Sequence, residues 1–203
     1  QLFLVGVTQG GCRPHDNQSY CHYDRVLEFI TENPDTFELV IYEQAGFYLL
    51  REDNGDKGSR KMFSSLGINE PVANIVVDEE HIHLTSQYLA QVSEVVDVNW
   101  FLPRAEPHIR KEIILRNGCA FEYSYRPNLY ETFISLDNYI GSLISSYSSD
   151  RLRTVSQNEM FQFNFPSDFI NCSTVYWGDG DHLSASGEEY FGRRVTKELL
   201  LNE

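Results

Sequence analysis

The stretch Ile82-His83-Leu84-Thr85-Ser86-Gln87-Tyr88-Leu89-Ala90-Gln91-Val92-Ser93-Glu94-Val95-Val96-Asp97-Val98-Asn99-Trp100-Phe101-Leu102-Pro103 changes its hydrophobic period partway along. Ile82, Leu89, Val92 and Val96 share one helical face across residues 80–95, and Val96 to Leu102 then reads as a strand stopped at Pro103. The same alternation extends in both directions. Towards the N-terminus, Phe37 to Tyr42 reads as a buried strand. Before it, Val26, Phe29 and Ile30 mark a helix over Tyr23 to Thr31, stopped by Asn33-Pro34. Leu2 to Val7 is a further apolar run that ends in the turn Thr8-Gln9-Gly10-Gly11. Towards the C-terminus, Leu129, Phe133, Leu136, Ile140, Leu143 and Tyr147 recur at alternating steps of four and three, which predicts a helix between Asn128 and Ser146. Arg151 to Val155 is a weaker strand. A final helix is expected from near Ser186, where Ser186-Gly187-Glu188-Glu189 has capping-box spacing, to about Leu200. Strands alternating with amphipathic helices predict an α/β three-layer sandwich, a mainly parallel sheet with helices on both faces. No repeat or linker divides the chain, so residues 1–203 are expected to form a single domain.

Composition narrows the function. Thirty acidic residues against 16 basic ones give a net charge of −14, and no basic stripe is present to neutralise phosphates. Nucleic acid is therefore not an expected partner. Aromatic residues make up 13% of the chain, enough with the aliphatics for a substantial core. No apolar run reaches bilayer length and no signal peptide is visible. Gln1 leads straight into Leu2-Phe3-Leu4-Val5, so the chain reads as a fragment cut from a larger protein.

The four cysteines contain no Cys-x-x-Cys pair, which argues against a structural zinc site. Cys12 and Cys21 bracket the polar loop from Arg13 to Tyr20, and a disulfide between them would fit an oxidising compartment. Four buried free thiols are the alternative. The sequence leaves the pairing of Cys119 and Cys172 open.

In parallel α/β folds the loops at the C-terminal strand ends carry the ligand. The candidates are Gly10-Gly11, Tyr42 to Gly46, Pro103 to Glu106 and the loop before the last helix. That last loop holds Asp179-Gly180-Asp181-His182. A serine hydroxyl needs a neighbouring base, which a histidine supplies near neutral pH; a nearby acid fixes the histidine tautomer. By spacing alone, Asp-x-x-His reads as an ordinary polar turn.

The neighbourhood is more specific. Tyr176-Trp177-Gly178-Asp179-Gly180-Asp181-His182-Leu183-Ser184, followed by Gly187 and Tyr190-Phe191-Gly192-Arg193-Arg194, resembles the last block of SGNH hydrolases. The form it is most similar to is the extracytoplasmic SGNH domain fused to membrane acyltransferase-3 proteins, which modify cell-surface glycans. Thr8-Gln9-Gly10-Gly11-Cys12-Arg13-Pro14, Asn33-Pro34-Asp35 with its following strand, and Phe101-Leu102-Pro103 match weaker segments in the same order. The resemblance implies an SGNH/flavodoxin-like fold and catalysis by His182 with Asp179. It also implies an acylated sugar or glycan as substrate, a membrane-embedded acyltransferase domain of the same parent protein as partner, and the periplasmic or extracytoplasmic face of a bacterial inner membrane as location. No cofactor or metal is implied.

Two departures accompany it. The family's Gly-Asp-Ser nucleophile block is missing from these residues, so the first strand and its serine are expected upstream of Gln1. The segment Tyr42-Glu43-Gln44-Ala45-Gly46 offers Gln44 as a neutral oxyanion donor, with backbone N–H groups at Gly10 or Gly11 as further candidates. Ordinary turn geometry explains those glycines equally well. The competing functional reading is a glycan-binding or partner-docking module that keeps the fold without the chemistry.

Other clusters read as structural. His81 and His83, two apart on a helix, diverge and are expected to be a solvated helix start. Ser184 and Ser186 suit capping. Asp53, Gly55 and Asp56 lack the remaining ligands of a calcium loop. His108 and Arg110 are expected on an exposed loop.

Overall fold

In the computed structural model, residues 5–7, 11–16, 20–52, 75–107, 109, 111–125, 127–165, 167–178 and 182–195 are described. Residues 1–4, 8–10, 53–74, 108, 110, 179–181 and 196–203, with the expectations that fall on them, lie outside these; the last helix, expected to reach about Leu200, ends at Gly192.

The architecture is mixed α/β. After α1 (Tyr23–Glu32) come β1 (Leu39–Glu43), β2 (Leu50–Glu52), β3 (Ile75–Val77), α2 (Glu79–Ser93) and β4 (Asp97–Leu102). Then follow α3 (Lys111–Asn117), α4 (Leu129–Ser145), β5 (Leu152–Ser156), α5 (Gln157–Phe161) and α6 (Ala185–Gly192). A three-stranded sheet has the order β1-β4-β5, all parallel, with Tyr42 opposite Trp100 and Trp100 opposite Thr154. The central strand β4 is buried from Val98 through Leu102, as its position between two parallel neighbours requires.

Alternation along β4 decides what packs where. Val98, Trp100 and Leu102 share one cluster with Ile30 of α1, Ile82, Leu89 and Val92 of α2, and Leu129, Phe133, Leu136 and Ile140 of α4. The three long helices therefore cover the same face. On the other face Ile41 is 47% exposed and Asn99 accepts a hydrogen bond from Arg153 Nε. A second cluster of Ile109, Ile113, Ile114, Tyr123, Phe169, Ile170 and Trp177 sits apart from the first.

Several local expectations change. Val5 and Val7 are 75% and 53% exposed and lie in no strand, so this part of the first apolar run is not buried. Phe29 is exposed, leaving Ile30 as the buried anchor of α1. His81 is only 3% exposed, contrary to a solvated helix start. Asp78 caps α2 by accepting from His81 N, and the His81 ring meets His15 of the loop between Cys12 and Cys21, centroids 4.5 Å apart. A remote loop covers this turn, which the period of the helix itself cannot reveal. The last helix is capped by Ser184, which accepts from Gly187 N, rather than by Ser186. The antiparallel β2–β3 pair was not expected, because three-residue strands carry too few positions to display a period.

Two disulfides are formed, Cys12–Cys21 and Cys119–Cys172, and these fit an oxidising extracytoplasmic environment. Among the described residues, no helix is long and apolar enough to cross a membrane.

Sequence separations of 9 and 53 make the two bonds unequal in the chain-entropy picture. Replacing Cys119 and Cys172 by Ser should cost about 4 kcal/mol, against about 2.5 kcal/mol for the Cys12 and Cys21 pair. Urea unfolding of the two double variants checks this; equal midpoints would contradict it.

Candidate functional site

Three strands end together, and the loops that follow them interlock. Gly46 packs so closely on the Phe133 ring that a Cβ there would collide with it, and that Cβ would stand 3.1 Å from Pro103 Cβ. The turn after β4 is buried, so its backbone needs partners. Asn158 supplies both: its Oδ1 accepts from Ala105 N at 2.7 Å and its Nδ2 donates to Pro103 O at 3.3 Å. The same Nδ2 reaches Asp137 Oδ2 at 3.2 Å, and Ser156 donates to that oxygen while capping α5 through Glu159 N. Burial raises the Asp137 carboxyl above its ordinary value, while the bonds from Ser156 and Asn158 pull it back down.

A polar cluster crosses the strand ends. Gln157 Nε2 donates to Glu43 Oε1 at 2.9 Å. Arg104 Nη1 lies 3.4 Å from both Glu43 Oε1 and Gln157 Oε1. The Arg104 guanidinium also sits over the Trp177 ring, 5.2 Å from its centroid. That contact joins the sheet to the segment that carries His182.

Trp177 bridges to Leu183 in antiparallel fashion, and Gly178 N donates to His182 O at 2.8 Å. These bonds close a hairpin with His182 exposed at its end and engaged in contacts of its own. Ser184 N donates to Tyr176 O, and Ser184 Oγ to Val175 O, which leads the hairpin into α6. Arg194 ties α6 back to the preceding loop: it donates to Phe161 O and Tyr190 Oη and pairs with Asp168. Ser184 is thus occupied as a cap, as its position before the helix suggested. Asp179 lies outside the described residues, so its relation to His182 is not described.

Gln44 is 7% exposed. Tyr42 Oη donates to its Oε1 at 3.2 Å, which turns the amide so that Nε2 is its remaining polar atom. Burial, with Tyr23, Tyr88 and Asp16 nearby, raises Tyr42 well above the ordinary tyrosine value, so it stays a donor. Gln44 Nε2 is buried with no hydrogen-bond partner among the described residues. Gly11 is exposed, has φ +78°, and leaves open space around its Cβ position. Turn geometry accounts for this glycine; Gly10 lies outside the described residues.

Of the loops flagged by sequence, those at 42–46, 103–106 and 176–184 therefore meet through Gly46, Arg104 and Trp177. Arg104 and Gln157 were missed as site residues. The signal available for Arg104 was a lone cation directly after a strand-ending proline.

Comparison with protein-family models, curated proteins and solved structures finds no match to this chain.

Gly187 abuts the Tyr176 carbonyl oxygen so tightly that a Cβ would overlap it, whereas Gly192 has nothing within 4 Å. Gly187→Ala should push α6 off the hairpin and cost about 1–3 kcal/mol. Gly192→Ala should stay within about 0.5 kcal/mol of the parent. Chemical denaturation of both variants decides; equal stability of the two would refute this close packing.

Proposed function

We propose that the chain forms the sheet and histidine-bearing part of an SGNH-type extracytoplasmic domain that transfers or hydrolyses acyl esters on cell-surface polysaccharide. The observation that carries this reading is the His182 hairpin, docked by Trp177 on Arg104 where three parallel strands end. That is where ligands bind in parallel α/β folds.

In this reading His182 takes the proton of an attacking serine and Asp179 orients the imidazole. Gln44 Nε2, left without a partner while Tyr42 engages Oε1, donates to the oxyanion that develops on the ester carbonyl. The serine arrives on a further strand. Among the described residues β1 pairs on one edge alone, and its other side faces an apolar groove of about 400 Å³ between Val5 and Val7 and Leu39 to Glu43. A strand seated there widens the parallel sheet towards an SGNH-like one and ends next to Gln44. The membrane-embedded acyltransferase domain of the same parent protein is the proposed acyl donor, and the two disulfides suit that extracytoplasmic setting.

The test is labelling of the whole parent protein by a serine-reactive fluorophosphonate, alongside release of acetate from acetylated polysaccharide. His182→Ala and Asp179→Asn should each slow both by about a thousandfold or more. Labelling that persists unchanged in His182→Ala rejects the catalytic assignment. Glycan binding without any labelling identifies a binding module instead.

A further inference from the structure

Two donors at the strand ends, Arg104 Nε and Gln44 Nε2, are buried without a hydrogen-bond partner among the described residues. The Arg104 side chain is 14% exposed, so its cation is largely withdrawn from water. Its Nη1 makes two contacts, both long at 3.4 Å, and its Nε is buried without a partner among the described residues. A guanidinium has five N–H donors in a rigid fork, and a good carboxylate pairing uses two of them at about 2.7–2.9 Å. Glu43 does not provide that pairing. Its carboxylate is 51% exposed and receives its shorter bond, 2.9 Å, from Gln157.

Arg104 is nevertheless fixed. The Trp177 ring lies against its guanidinium, and Trp177 is itself 2% exposed. The preceding residue, Pro103, is anchored through its carbonyl by Asn158, and the next, Ala105, through its N–H. A second donor without a partner, Gln44 Nε2, stands on the loop that packs against Pro103. Glu106, two residues on, is buried with contacts of its own.

We propose that Arg104 is a specificity-determining residue that binds the carboxylate of an acidic sugar, holding the polysaccharide beside the His182 hairpin. A planar carboxylate matches the fork, and its single charge meets less repulsion than a dianion would beside Glu43 and the buried Glu106. A phosphate dianion would meet too little positive charge there. A chain of net charge −14 repels polyanions at long range, so one desolvated arginine confers a local preference rather than broad affinity. The proposal rests on the glycan-directed reading above.

Calorimetric titration of the 203-residue chain with trigalacturonate and with its methyl ester tests it. The acid should bind at least tenfold more tightly than the ester. Arg104→Gln should remove that preference, and Arg104→Lys should keep part of it. Glu43→Gln, which removes the competing carboxylate and leaves Arg104 in place, should tighten acid binding several-fold. Absence of a preference for the acid, a preference that survives Arg104→Gln, or no tightening in Glu43→Gln each overturn the proposal; the last decides should Arg104→Gln fail to fold. The fluorophosphonate result is independent. Loss of labelling in His182→Ala with no acid preference rejects the Arg104 role alone, and acid preference with labelling indifferent to His182 rejects the catalytic reading alone.

Discussion

One side-chain amide, that of Asn158, carries a disproportionate share of the site. A buried turn has to leave β4, and Pro103 and Ala105 each present a backbone group there that water cannot satisfy. Asn158 supplies a donor for one and an acceptor for the other, and the same amide nitrogen contacts Asp137 on α4. Three elements are thereby registered to one another at their ends. An apolar residue at 158 would pack but would strand both backbone groups, and buried unpaired polar atoms cost more than a formed bond returns. Arg104, between the two tethered residues, inherits its position from this arrangement.

The sheet side of the molecule was the more legible in sequence. β4, α2 and α4 follow from period and length alone, because each buries a continuous face against its neighbours and selection for that face writes itself along the chain. The bounds of α4 fall within a residue of the expectation. Burial by remote segments leaves no such trace. The covering of His81 by the Cys12–Cys21 loop depends on a contact 66 positions away, and nothing in the helix around it announces a visitor. The same holds for Arg104 and Gln157, whose roles come from loops meeting in space. Gln44 is a candidate in sequence because it follows a strand; the Tyr42 bond that orients it depends on side-chain conformation, which no pattern of residues displays.

The hairpin side obeys different physics. Trp177–Leu183 and Ile170–Val175 are isolated bridges without a ladder, so backbone pairing contributes little. Order there comes from aromatic packing of Tyr123, Phe165, Phe169 and Trp177, from the Arg194–Asp168–Tyr190 clamp, and from the Cys119–Cys172 bond. A small cluster stabilises through staples what a large core stabilises through area.

The two halves meet through a cation and through rings: Arg104 lies over Trp177, while Phe161 of α5 packs on Phe191 and Phe163 on Trp177. Arginine serves the polar side of this joint with one side chain: its guanidinium lies over the indole while Nη1 reaches Glu43 and Gln157. Lysine in its place would keep the charge but lose the fork that reaches Glu43 and Gln157 together. The contact that joins Trp177 to the strand ends therefore belongs to the same guanidinium whose Nε is left without a partner among the described residues.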